Sequence, residues 1–159
     1  MKNLNNLIQI LQKANIDFVI VGGYSAVLHG SSMVTQDLDI CIHFHESEIL
    51  NLRKALESYH PVHRMTPQRL SFLEYPQEIK NVKNIYLETD LGILDILGFV
   101  GGVGTFEDVK KNALKIDFFG HQCFLLSIQD LIQAKKYLGR PKDIMVVKEL
   151  ECILKKENE

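Results

Sequence analysis

The segment DLDICIHF, residues 37–44, constrains the fold more than any other, because it alternates like a strand yet carries two carboxylates. Successive strand side chains point to opposite faces. Leu38, Ile40, Ile42 and Phe44 therefore share a core face, and Asp37, Asp39, Cys41, His43 and His45 share the other. The two aspartates point the same way, with Cα atoms roughly 6–7 Å apart. Strands disfavour Asp, and two anions held this close raise one another's pKa unless a cation intervenes. A hard divalent ion such as Mg²⁺, or Mn²⁺ in its place, takes carboxylate oxygens together with substrate phosphates and removes the repulsion. A merely solvated strand face is the alternative, and spacing alone leaves both open. His43 and His45 extend this face; an HxH metal site is one reading of them, and surface histidines beyond the site is the preferred one.

Upstream, FVIVG at 18–22 is a dense β-branched run, hence a buried strand, and Gly22 and Gly23 stand where it hands over to a helix. A residue without Cβ lets backbone approach a ligand closely. A helix start also offers unpaired N–H groups to phosphate. A tight strand-to-helix turn would use the same glycines, and the chain has no GxxxxGK[ST] loop.

Leu4, Leu7, Ile8, Leu11 and Ala14 recur at helical spacing, so residues 3–14 read as an amphipathic helix. Short helices are expected over Tyr24–His29 and Ser47–Ser58. Residues 60–82, with His60, Pro61, Pro67 and Pro76, read as an irregular excursion. NIYLETDLGILDILGF reads as two strands turning near Asp90–Gly92. Thr105 with Asp108, and Ser127 with Asp130, mark helix starts. ALKIDFFGHQCFLLS between them reads as a hairpin turning at Gly120 and His121. Gly139 ends the penultimate helix, and Pro141 opens the last, which runs to about Lys155. The expected fold is α+β, with a mixed sheet flanked by helices. A length of 159 residues fits one domain over 1–159, with a core at 1–126 and a helical pair at 127–159 packed on it.

Three scattered cysteines (Cys41, Cys123, Cys152) without a CxxC argue against a disulfide framework or a zinc knuckle. A net charge of −2 gives no basic field for gripping long nucleic acid. No apolar run is long enough to span a membrane, and the N-terminus is amphipathic rather than signal-like. A cytoplasmic location is expected.

The apolar–Gly–Gly step at Val21–Gly23, a thirteen-residue spacer, and Asp37-Leu38-Asp39-Ile40 resemble the signature of the DNA polymerase β-type nucleotidyltransferase superfamily. That signature needs a third carboxylate between apolar residues on a later strand, and Leu94-Asp95-Ile96 fits. GGYSAVLHG, LETDLGILDILG and LSIQDLIQAKKYLGRPKD are also similar to small bacterial nucleotidyltransferase-like proteins. These include the AbiEii-like group associated with toxin–antitoxin and phage-defence systems. The resemblance implies transfer of a nucleoside monophosphate from an NTP, ATP among the candidates, to an acceptor hydroxyl. The acceptor is open: a small molecule, a protein or a tRNA end. It implies Asp37, Asp39 and Asp95 as catalytic metal ligands in a two-metal arrangement, and the Gly22–Gly23 backbone on phosphate oxygens. Gly23 stands where Ser is frequent, which leaves Ser25 as a substitute hydroxyl. A non-catalytic binding or regulatory module, with a partner protein encoded nearby, is the competing expectation.

The C-terminal helices carry charges on inward faces. Lys135 falls in the apolar stripe with Ile128, Leu131 and Leu138, and Asp143 aligns with Val147, Leu150 and Leu154. Buried charges need partners. A Lys135–Asp143 or Arg140–Asp143 pair would lock the helices; alternatively Lys135 reaches nucleotide phosphates as a point charge. The resemblance favours a nucleotide-binding role for Lys135 and Arg140, with Asp143 structural. GFVGGVG, residues 98–104, reads as the exit from the Asp95 strand, and Arg64 and Arg69 read by default as solvated surface residues, with phosphate or acceptor binding as the alternative. Met33 stands where related sequences often carry Arg, so that task would fall to Lys135, Arg140 or Arg69.

Overall fold

The computed structural model describes residues 3–159. Helix α1 (Leu4–Lys13) starts at Asn3, whose side chain accepts the Asn6 amide at 3.1 Å. It is followed by β1 (Phe18–Val21) and α2 (Gly22–Leu28), which begins at the two glycines. Next come β2 (Asp37–Ile42), α3 (Glu46–Leu56) and a 3₁₀ turn at Glu57–Tyr59. A short β3 (Val62–His63) precedes the hairpin of β4 (Asn84–Thr89) and β5 (Gly92–Leu97). GFVGGVG forms a small ribbon of β6 (Phe99–Val100) and β7 (Gly104–Thr105), leading into α4 (Phe106–Lys111). A second hairpin, β8 (Leu114–Phe118) and β9 (His121–Leu125), precedes α5 (Ile128–Leu138) and α6 (Pro141–Glu157).

Both anticipated N-terminal caps are present: a capping box joins Thr105 and Asp108, and the Ser127 hydroxyl accepts the Asp130 amide at 3.1 Å. Gly139 closes α5 in the left-handed region at φ 64°. The β8–β9 turn falls one residue earlier than expected. Phe119 and Gly120 take φ of 52° and 81°, as a two-residue hairpin loop requires.

The main sheet has seven strands in the order β3-β4-β5-β2-β1-β9-β8. The β2–β5 and β1–β9 pairs are parallel and the other neighbours antiparallel. This mixed sheet with helices on both faces is the expected α+β architecture. Leu7 and Leu11 of α1 and Leu52 and Leu56 of α3 pack with Ile20, Leu38, Ile40 and Ile96 on one face. On the other, Val109, Leu131, Val147 and Leu150 from α4, α5 and α6 pack with Val19, Val21 and Cys41.

That second core corrects the reading of the strand at 37–44. The face carrying the aspartates is not open to solvent along its length, because Cys41 is fully buried in the core that α4, α5 and α6 build on that side. Only its beginning, at Asp37 and Asp39, reaches the cavity. The strand stops at Ile42, and His43 and His45 lie exposed beyond it.

The excursion at 60–82 is irregular but firmly tied. Phe72 is fully buried in the first core, and its amide donates to the Pro61 carbonyl at 2.9 Å. The Arg53 guanidinium donates to the Phe72 and Pro76 carbonyls at 2.7 and 2.6 Å. This anchoring makes the segment part of the fold rather than a loose insertion. Phe72→Ala is expected to cost about 3–5 kcal/mol through the cavity it leaves, measured by urea unfolding; a change below about 1 kcal/mol would show that the segment adds little.

Candidate active site

The site begins with strand register. In the parallel β2–β5 pair Asp39 lies opposite Asp95, and Asp37 opposite Ile93. Opposed residues in neighbouring strands share a sheet face, so Asp39 and Asp95 stand side by side with Asp37 one pleat away. All three line a single cavity of about 600 Å³ together with Gly23, Thr35, Lys135 and Arg140.

Gly22 and Gly23 have distinct tasks. Gly22 sits at φ 66°, and a Cβ there would overlap Oδ2 of Asp39. Its missing side chain makes room for the carboxylate, and it does not line the cavity. Gly23 does line it, and a Cβ there would come within 3.2 Å of Thr35 Oγ1 and 3.3 Å of Met33 Cε. Ser25 is fully buried, donates its hydroxyl to the Gly22 carbonyl at 2.6 Å, and stays outside the cavity lining. It therefore braces the turn that bears the glycines.

The loop between α2 and β2 forms one wall. The Thr35 hydroxyl donates to the Asp37 carbonyl at 3.2 Å and accepts the Asp37 amide at 3.4 Å. Glu149 of α6 accepts the Ser32 amide, at 3.1 Å to one oxygen, and the Ser32 hydroxyl at 2.7 Å to the other. It also accepts the Ser31 hydroxyl, and these serine donors hold its pKa below the usual range. The last helix thereby fastens the loop that carries Met33 and Val34 on the cavity rim. Sequence patterning gave no sign of Glu149, because its partners lie 117 and 118 residues away.

The cationic wall comes from the C-terminal helices. Asp143 is 1% exposed and accepts from the Arg140 backbone at 3.2 Å and its guanidinium at 2.6 and 3.2 Å. Lys135, itself buried, lies 3.5 Å from Asp143 Oδ1, the oxygen that also accepts from Arg140 Nη2. Arg140 first, and Lys135 with it, hold the Asp143 carboxyl below its ordinary pKa. Both lock pairs foreseen from sequence are present, and both cations still line the cavity, joined by Lys142.

Arg64 differs from its sequence reading. Its Nε and Nη2 donate to the two Asp95 oxygens at 3.2 and 2.6 Å. The guanidinium carbon lies 5.5 Å from the Tyr86 ring centroid, and the Arg64 amide donates to the Tyr86 carbonyl at 3.0 Å. Tyr86 is the cross-strand neighbour of Asp95, so β4 delivers the arginine to the carboxylate. Arg69 instead pairs with Glu88 and is not part of the lining.

Burial raises the Asp39 pKa to about 7, with repulsion from Asp95 and Asp37 adding to it and Lys135 and Arg64 opposing. Burial raises Asp95 as well, against the pull of Arg64. Among the described residues, no three or more His, Cys, Asp and Glu side chains are grouped so that they could hold a metal ion. The carboxylates thus share a cavity without closing into a three-carboxylate shell, and Asp95 is turned to Arg64.

Two outcomes follow. Ionised Asp39 opposes folding above its unfolded pKa near 4, and the penalty grows until pH passes about 7. Without divalent metal, Asp39→Asn is expected to raise Tm at pH 8 and to leave it nearly unchanged at pH 4; a lower Tm at pH 8 contradicts this electrostatic picture. Asp143→Ala strands buried Lys135 without its partner and removes a helix cap, at an expected cost of about 3–5 kcal/mol in chemical unfolding.

No protein-family model matches the chain, and a comparison with curated proteins found no match. Solved structures do match. The lincosamide antibiotic adenylyltransferase LnuA, bound to lincomycin, superposes with a TM-score of 0.59 at 16% identity, covering 94% of this chain and 95% of that one. An antigenic nucleotidyltransferase-like protein from Paracoccidioides brasiliensis superposes with a TM-score of 0.54 at 16% identity, covering 92% of this chain and 72% of that one. At such identities the likeness concerns architecture, and on that ground the chain has the nucleotidyltransferase fold.

Proposed function

We propose that the protein is a divalent-metal-dependent nucleotidyltransferase, moving a nucleoside monophosphate from an NTP to the hydroxyl of a small molecule. The observation that carries this reading is the single cavity lined on one side by Asp37, Asp39 and Asp95 and on another by Lys135, Arg140 and Lys142. Such a site suits a triphosphate held between cations and a metal-binding carboxylate edge. The small-molecule acceptor is supported by the match to a lincosamide adenylyltransferase over nearly the full length of both chains. The net charge of −2 disfavours a tRNA acceptor.

Asp37 and Asp39 fit a hard divalent cation: both are carboxylates on one strand face, and burial first, with repulsion from Asp95 and Asp37 second, raises the Asp39 pKa, a cost that a cation would relieve. Bound there, such an ion would supply charge neutralisation to the triphosphate. The chain's own groups would do the rest. Lys135 and Arg140 orient phosphate oxygens, and the Gly23 backbone permits close approach. The acceptor oxygen forms a bond to the α-phosphorus as the α–β anhydride bond breaks and pyrophosphate departs with the electron pair. Asp95 takes the hydroxyl proton on a carboxylate oxygen.

The Arg64–Asp95 pair and Met33 on the cavity rim favour a second reading, a non-catalytic nucleotide-binding module, of the kind found in toxin–antitoxin pairs. Incubation with α-labelled NTPs, Mg²⁺ and lincosamide and aminoglycoside acceptors separates the two. Label transfer is expected in the wild type, reduced at least about a hundredfold in Asp39→Asn with the circular dichroism spectrum unchanged. Binding of NTP without any transfer would select the second reading.

A further inference from the structure

We propose that Arg64 stands in for a second divalent cation, so that the site takes one metal ion, at Asp37 and Asp39, and keeps Asp95 paired with the guanidinium. This inference rests on the nucleotidyl-transfer reading and narrows it. Arg64 reaches both Asp95 oxygens, at 3.2 and 2.6 Å, in a forked arrangement that matches carboxylate geometry. It is a built position: β3 and β4 pair at His63 and Leu87, and the Arg64 amide continues that pairing to the Tyr86 carbonyl. The guanidinium then lies against the Tyr86 ring and beside the cross-strand Asp95. Asp95 and the Arg64 side chain are 10% and 24% exposed, which makes the pair stronger than a solvated one and costly to break by removing one partner.

Charge balance points the same way. Asp37, Asp39 and Asp95 bring three negative charges to one face of two interior strands, β2 and β5. One guanidinium and one divalent cation neutralise them fully. A second divalent ion on Asp95 would have to displace Arg64 and leave its charge beside two cations. Arg64 is then a positioning residue. It holds the Asp95 carboxylate in place through its NH groups and leaves the remaining lone pairs free to accept the acceptor's proton.

The test is a Mn²⁺ titration of the nucleotide-free protein, with bound ion counted from the loss of the free Mn²⁺ electron paramagnetic resonance signal. Wild type is expected to bind one ion, which Asp39→Asn loses and Asp95→Asn keeps. Arg64→Met is expected to gain a second ion that Arg64→Met/Asp95→Asn lacks. Two ions in the wild type, or a fall in stoichiometry in Asp95→Asn, would overturn the proposal even if Arg64→Met does not fold. One ion in a folded Arg64→Met would overturn it too. If no ion binds to either protein, the inference fails; whether the nucleotidyl-transfer reading fails with it is read separately, from the absence of label transfer by the wild type.

Discussion

The parallel pairing of β2 with β5 is the constraint on which the site depends. It sets Asp39 and Asp95 side by side on one face of the sheet, where both line the cavity. Two carboxylates in that position repel, and burial sharpens the repulsion. The rest of the neighbourhood answers that problem. Arg64 compensates Asp95 and Lys135 opposes the charge of Asp39, yet burial, with repulsion from Asp95 and Asp37, still raises the Asp39 pKa. Burying carboxylates in mutual repulsion opposes folding, a cost of the kind concentrated at functional sites.

The C-terminal helices do more than cover the second core. Arg140 and Lys135 converge on the buried Asp143, which fixes the α5–α6 junction and holds two cations at the cavity wall. Glu149, two turns further along α6, grips Ser31 and Ser32 and so ties the α2–β2 loop to the same helix. Helix packing, loop position and cavity shape are therefore one mechanical unit. Lys135, whose charge was ambiguous in the sequence, both lies beside Asp143 and lines the cavity.

Much of this was legible from local chemistry. The strand carrying Asp37 and Asp39, the hand-over at Gly22–Gly23, the caps at Thr105 and Ser127 and the stop at Gly139 are all marked by residues whose neighbours lie within a few positions. What escaped depends on distance along the chain. Arg64 meets Asp95 across 31 residues, from a segment without periodicity. Cys41 lies in a core because helices later in the chain, α4 among them, pack on that face of the sheet, which a strand's own alternation cannot reveal. Ser25 stands close to the glycines in sequence, but helix geometry turns its hydroxyl back onto the Gly22 carbonyl.

The Gly22–Asp39 contact has a bearing on how such chains diverge. Position 22 is kept bare by the carboxylate at position 39 as much as by its own φ of 66°. The two positions therefore form a coupled pair under mutation. A descendant that trades Asp39 for a smaller residue would lift the steric restriction on position 22, leaving only the backbone's preference for glycine or asparagine. Loss of the first glycine of the dipeptide would then be a mark of a site that has already lost its acid.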